Sequence, residues 1–228
     1  PLVGGGYSSS VTFAAAQVAQ KYRIPFLINT GSVDKITQPE DFGLDISDSD
    51  NFYIYRLNPP VSEYASGLEG FLSEVVKPES VVIFHENTTF GTKGAKAFKK
   101  SCEKLGFEVK AVESYTEGTV DFKPLLIKVK KHNPDVVYMI SYVMDAALLM
   151  KQSKELKLSP KLFVGAGAGY TMPAFKENAG VASEKVVSAT LWHQSLPIPG
   201  ATDYYNAYVA RFDGKSPPDY HGVEAYAS

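Results

Sequence analysis

The chain has 228 residues, 44% hydrophobic and 21% charged, with a formal net charge of −2, the balance of an ordinary globular protein. That charge makes no electrostatic case for nucleic acid or an anionic membrane. Cys102 is the single cysteine, which excludes an internal disulfide and a cysteine-built metal site; no apolar run is long enough to span a bilayer and no secretory leader is recognisable, so the sequence reads as cytosolic or as one whose targeting segment has been removed.

The opening stretch, residues 1–37, organises the rest. A short apolar run meets three glycines and three serines, Gly4 to Ser10. An amphipathic helix follows, with Val11, Ala15, Val18 and Tyr22 predicted on its apolar face, and then a buried strand over residues 24–28 that ends in Asn29-Thr30-Gly31-Ser32. The pattern is strand–turn–helix–strand with small polar residues at both strand ends. In open α/β sheets ligands bind outside the carboxyl ends of the strands. The turns at Ser8–Ser10 and Thr30–Ser32 are therefore expected side by side at one sheet edge. The helix that starts after Ser8 brings unpaired N–H groups and partial positive charge to the same place.

Residues 37–51 read as a polar, acidic surface excursion, residues 52–57 as a strand stopped by Asn58-Pro59-Pro60, and residues 62–76 as a helix carrying Tyr64, Leu68, Phe71, Leu72 and Val75. Repeated β-α units follow. Strands are expected over 80–84, 107–115, 136–140, 162–164 and 185–192. Helices are expected over 92–105 with Gly106 closing it, from an Asp121 cap through 131, through 150–156, and over 204–212 with Asp203 as its cap; a last helix starts after Pro217-Pro218. The alternation predicts parallel sheets with helices on both faces. The break at 57–60, with a second crossing near 192–199, suggests two lobes with a ligand cleft between them.

Three segments in order, GGGYSSSVTFAA, PFLINTGSVDKIT and FYIYRLNPP, resemble the type I periplasmic binding proteins, in particular the leucine/isoleucine/valine-binding branch that serves ABC importers. SVVIFHENTTFGTKGAKAF, GTVDFKPLLIKVKKHNPDVVYMI and DAALLMKQSKEL continue the resemblance over nearly the whole chain. It implies a two-lobed α/β fold that closes on a ligand, with residues 1–59 and 193–228 in the first lobe and 60–192 in the second. Relative to such proteins the chain reads as incomplete at both ends. The implied function is capture of a small carboxylate-bearing solute outside the cytoplasm, in the periplasm or extracellular space, free or held by a lipid anchor. The implied partners are the membrane subunits of an ABC importer; the protein is read as a monomer without a cofactor, and no nucleic acid is involved. The alternatives are a ligand-sensing receptor domain on the same fold and a serine-dependent α/β enzyme.

The resemblance places Ser8, Ser9, Thr30 and Ser32 at the ligand carboxylate. Phe90, Tyr142 and Tyr170 are candidates for the ligand's body. For each there is a plainer reading: helix cap for the serines, ordinary turn for Thr30 and Ser32, packing for the aromatics, among which Trp192 is also core-like. Gly167 is the departure. Amino-acid binders of the family carry an acid there, opposite the ligand's ammonium, whereas this chain has GAGAG. A buried ammonium without a partner is costly, so either another acid serves, Asp145 or Glu86, or the ligand has no ammonium; Asp145 is otherwise a helix cap. Gly6-Tyr7-Ser8-Ser9-Ser10 misses G-x-S-x-G at its last position and Gly4-Gly5-Gly6 with Ser9 misses G-x-G-x-x-G. His85, His132, His193 and His221 lack ligand spacing, so no metal is expected.

Overall fold

The computed structural model describes residues 1–45, 47, 49–212, 214 and 217–228. Of the polar excursion expected over 37–51, Ile46 and Asp48 lie outside the described residues; Asp213, Lys215 and Ser216 do so as well. The chain divides into two compact units, Pro1–Val61 with Leu191–Ser228, and Ser62–Thr190.

The first unit holds a parallel sheet in the order β1 (Val3–Gly5), β2 (Phe26–Ile28), β3 (Ile54–Arg56). Val3 pairs with Phe26 and Phe26 with Ile54. Helix α1 (Ser9–Lys21) connects β1 to β2. Its packing face is the opposite of the one its valines suggest. Ser9, Thr12, Ala16 and Ala19 are buried, while Val11, Val18 and Tyr22 are 69%, 57% and 65% exposed. The reason lies in the turns it must approach. A Cβ built on Gly6 or on Gly31 would meet Thr12 side-chain atoms at 2.8 Å, so the backbones of both turns close onto Thr12, and only a small-residue face permits that approach. Two further helices, α7 (Ala201–Arg211) and α8 (Tyr220–Ala227), complete the unit, around a small core of Trp192, Ala201 and Tyr220. Gly200, at φ 80°, is the N-cap of α7 and Asp203 lies inside its first turn, so the cap expected at Asp203 sits three residues earlier. In α8, by contrast, Asp219 caps by accepting from Gly222 N–H at 3.0 Å.

The second unit is a five-stranded parallel sheet in the order β5-β4-β6-β7-β8. Its members are β4 (Ser80–Glu86), β5 (Glu108–Tyr115), β6 (Val136–Ile140), β7 (Leu162–Gly165) and β8 (Val186–Ser188). Every residue of β4 and β6 is buried, as continuous apolar runs in a sheet covered on both faces must be. On one face α3 (Thr89–Leu105) lays Phe98 flat on Tyr138, ring centroids 3.6 Å apart. On the other, Val82, Phe84, Val137 and Met139 pack with Leu126 of α4 (Lys123–Lys131), Leu149 of α5 (Val143–Glu155) and Phe175 of α6 (Pro173–Ala179). Edge strand β5 exposes Glu108 and Lys110, while Glu113 is half-buried and Val112 exposed. Gly106 closes α3 at φ 77° as expected.

Several boundaries differ from the sequence reading, four of them in the second unit. Helix α2 (Ser66–Phe71) is short and passes into a wider turn over Leu72–Val76, leaving Phe71 and Val75 exposed. Helix α3 starts three residues earlier, at Thr89. The long strand expected over 185–192 is only Val186–Ser188, because β7, the strand it pairs with, offers four residues, Leu162–Gly165. The N-cap of α4 is Phe122, although the Asp121 carboxylate still accepts from Lys123 N–H at 3.0 Å.

Candidate functional site

In the first unit the two hydroxyl-rich turns lie side by side. Gly6 O accepts from Thr30 N–H at 3.2 Å and from Gly31 N–H at 2.9 Å. The Ser9 hydroxyl accepts from both Ser32 N–H and Val33 N–H at 3.3 Å. Ser9 is therefore a clasp between the turns, buried to 2% exposure, rather than a hydroxyl presented to a ligand. Ser8 is the N-cap residue of α1, with extended backbone, yet its side chain makes no capping bond. Its carbonyl accepts from Thr12 N–H at 2.9 Å and from the Thr12 hydroxyl at 2.8 Å. The expectation that Ser8 caps the helix with its hydroxyl is thus corrected. Thr12 provides that local tie, and the partly exposed Ser8 hydroxyl is left beside the first N–H groups of a thirteen-residue helix.

Thr30 and Ser32 are buried. The Thr30 carbonyl accepts from Asn58 Nδ2 at 2.9 Å and the Ser32 carbonyl from Val61 N–H at 2.7 Å. Near Thr30 stands the carboxyl group of Glu224, a residue the sequence reading missed. Burial pushes the Glu224 carboxyl up to about 8, the neighbouring Asp219 charge adds to this, and Thr30 opposes it. A readable signal existed: Glu224 lies four residues after the aromatic Tyr220, on the same helical face. At Asp219 burial works against the charge, but the bonds from His221 and Gly222 outweigh it and hold the carboxyl below its ordinary value.

In the second unit the strand ends carry a different set. Phe90 is buried between Tyr64 and Tyr142, ring centroids at 6.3 and 5.6 Å. Tyr142 is the N-cap residue of α5 and partly exposed. Tyr170 is a core residue: its ring packs on Phe175 at 5.1 Å, its hydroxyl donates to Ser141 Oγ at 3.0 Å, and a Cβ on Gly165 would collide with it. These contacts agree with the plainer reading of Tyr170 as a packing residue. Gly167 has φ 68° and ψ −138°, and its N–H donates to Ser188 Oγ at 3.2 Å. That backbone region is open essentially to glycine alone, so the lack of an acid at 167 is built into the chain path.

The two acids offered as substitutes are engaged. Glu86 accepts from Thr88 N–H, the Thr88 hydroxyl and Gly91 N–H at the start of α3. Asp145 is not a cap; it lies in the first turn of α5 and both its oxygens accept from Gly118 N–H, at 3.2 and 3.1 Å. Burial raises its pKa, as it does that of neighbouring Glu117, where the Glu86 and Asp145 charges add to the effect. Among the described residues no three His, Cys, Asp or Glu side chains are grouped to hold a metal ion, and no helix is long and apolar enough to cross a membrane.

Parallel α/β units whose hydroxyls, glycines and helix N-termini gather at the carboxyl ends of the strands define a class of small-molecule binding proteins. The chain belongs to the periplasmic binding protein family, whose profile matches residues 2–228. It is 26% identical over 234 residues to Leu/Ile/Val-binding protein homolog 7 of Brucella melitensis, covering 97% of this chain and 56% of that protein. The chain thus spans little more than half the length of the curated relatives it matches. Among solved structures it is similar to the leucine binding protein LivK of Thermotoga maritima, with a TM-score of 0.87 at 21% identity, covering 99% of this chain and 61% of that one. It is also similar to a solute binding protein of an ABC transporter from R. palustris in complex with benzoate, with a TM-score of 0.85 at 18% identity over 99% and 59% of the two chains.

Proposed function

We propose that the chain forms part of an extracytoplasmic solute-binding protein that captures a small carboxylate-bearing ligand and delivers it to the membrane subunits of an ABC importer. It binds and releases its ligand without chemical turnover. The observation that carries this reading is the Ser8 turn: a hydroxyl free of capping duty, set at the N-terminus of a long helix, beside a second polar turn clasped to it by Ser9. Such a turn suits a carboxylate. The names of the relatives and structural neighbours agree with a transport role. Part of the same proposal is the division into a first lobe, residues 1–59 with 193–228, and a second, residues 60–192.

The ligand class we favour is an acid without an ammonium group, aliphatic or aromatic. In support, Gly167 has no side chain and a backbone that disfavours one, Glu86 is held by its own loop, and Asp145 is held by Gly118. The aromatic pair Phe90 and Tyr142 suits an apolar or aromatic body. The test is calorimetric titration of the native full-length protein with benzoate, 4-methyl-2-oxopentanoate, leucine and isoleucine. The acids are expected to bind more tightly than the amino acids. Submicromolar binding of leucine or isoleucine with the acids ignored would overturn this ligand class and return Asp145 to the role of ammonium partner.

A further inference from the structure

We propose that Tyr7 is a specificity-determining residue of the ligand site, the ring against which an aromatic acid packs its own, so that the favoured ligand is an aromatic carboxylate rather than an aliphatic one; this rests on the carboxylate-binding reading of the Ser8 turn. Tyr7 precedes Ser8 in the turn between β1 and α1, and it is 43% exposed. The two residues before it, Gly5 and Gly6, have φ of 134° and 104°, values that residues with a side chain rarely adopt. A Cβ on Gly6 would also meet Thr12 at 2.8 Å. The backbone path that presents Tyr7 beside Ser8 is therefore one that glycines allow and other residues strain.

An exposed ring serves as a platform only if something holds it. His221 holds this one: its imidazole centroid lies 5.3 Å from that of the Tyr7 ring, tilted by 58°. His221 in turn lies on Tyr220, with ring centroids 3.8 Å apart and 26° from parallel. Tyr220 is 1% exposed and belongs to the core with Trp192 and Ala201. The imidazole is kept from swinging away by Asp219, whose Oδ2 is 3.2 Å from His221 Nδ1 and whose Oδ1 accepts from Gly222 N–H at 3.0 Å. Tyr220, His221 and Tyr7 are thus a supported series of rings that runs from the core to the residue before Ser8. The reach also fits. Consecutive Cα atoms are about 3.8 Å apart, and in an aromatic acid the ring begins one bond from the carboxyl carbon. A carboxylate at Ser8 and the first N–H groups of α1 therefore brings its ring within reach of Tyr7. A branched aliphatic chain gains apolar contact there, but not the offset-stacked or edge-to-face contact that a second aromatic ring makes.

The experiment is calorimetric titration of the native full-length protein with benzoate and with cyclohexanecarboxylate, which carry the same carboxylate on a flat and on a saturated ring, in wild type, Tyr7→Phe, Tyr7→Leu and Ser8→Ala. Tyr7→Leu should bind benzoate about fivefold more weakly than wild type, while its affinity for cyclohexanecarboxylate changes by less than about twofold. Tyr7→Phe should keep the wild-type ratio of the two affinities. Circular dichroism should show both variants folded, since the ring stands largely outside the core. A merely structural Tyr7 would move the two acids together, so equal weakening of both in Tyr7→Leu would overturn the proposal. So would unchanged benzoate affinity in Tyr7→Leu, or loss of the ratio in Tyr7→Phe. If any of these occurs while Ser8→Ala weakens both acids, the carboxylate-binding reading stands and only the role of Tyr7 falls. If wild type binds neither acid, that reading falls and this proposal with it.

Discussion

Changing Ser9→Ala removes the one oxygen that clasps the two turns. The Ser9 hydroxyl accepts from Ser32 N–H and Val33 N–H, both at 3.3 Å; Ser9 and Ser32 are nearly inaccessible and Val33 completely so. Truncation leaves two buried backbone donors without an acceptor, and a buried unsatisfied donor costs about 1–3 kcal/mol. Both bonds are long and share one oxygen, so the low end applies to each, about 1 kcal/mol. Alanine's higher helix propensity returns about 0.5 kcal/mol. The net loss is about 1.5 kcal/mol. Trp192 is the only tryptophan and lies in the core of the same unit, so urea unfolding followed by its fluorescence reads the relevant transition. The midpoint should fall at unchanged slope. A change below about 0.5 kcal/mol would refute the clasp and mean that water or another group takes over the two donors.

Ser8→Ala should do the opposite: stability within about 0.5 kcal/mol of wild type, because its side chain caps nothing, and ligand affinity in calorimetry weaker by about 1–3 kcal/mol. Gly91→Ala would drive a methyl group into the Glu86 carbonyl and carboxylate and should lower unfolding stability by about 3 kcal/mol or more in urea; near-wild-type stability would show that the loop after β4 can open. Glu224 has its pKa raised from 4.5 to about 8, so between those values the folded protein keeps a proton that the unfolded chain has released. Stability is lost as pH rises through that window, and the loss is complete above it. Glu224→Gln escapes the loss and should be more stable than wild type by roughly 2 kcal/mol near pH 8, about half the face value of the shift because the side chain is partly exposed; equal stabilities near pH 5 and pH 8 would refute it. Gly167→Asp should cost about 1–3 kcal/mol in thermal unfolding, from backbone strain, and should not create leucine binding; tight leucine binding in that variant would show that the turn adapts.

What was legible in the sequence was what repeats along it. The apolar runs of β4 and β6, the glycine that closes α3 and the polar strand ends at Ser8 and Thr30 all follow from local pattern, and the structure has them where that pattern puts them. What failed depended on partners distant in the chain. The face of α1 was misread because valines outrank threonine and alanine as core residues, yet the turns it must meet are glycine backbones that only Thr12 and alanines can approach. Ser9 could be told from Ser8 only by knowing that Ser32 and Val33 point their N–H groups at it. Tyr170 stood as a ligand-wall candidate with packing as the plainer reading, and the close approach of its ring, which Gly165 permits, could not be seen from local pattern.

The state of each carboxyl group near the strand ends bears on the ligand class proposed above. An α-amino acid needs one carboxylate free to face its ammonium, and each acid here has a reason not to serve. Glu86 is turned into its own loop by Thr88 and Gly91. Asp145 bonds Gly118 with both oxygens, and burial already weakens its hold on a charge. Burial raises the Glu224 carboxyl to about 8, so its neutral form offers no charge to an ammonium. Recruiting Asp145 would break its bonds to the exposed Gly118 N–H, a cost of about 1 kcal/mol that an amino acid would have to offset. An acid without the ammonium avoids that cost and still uses the helix N-terminus beside Ser8. On the proposed carboxylate-binding reading, groups that accept a carboxylate would discriminate against the zwitterion without any residue dedicated to rejecting it.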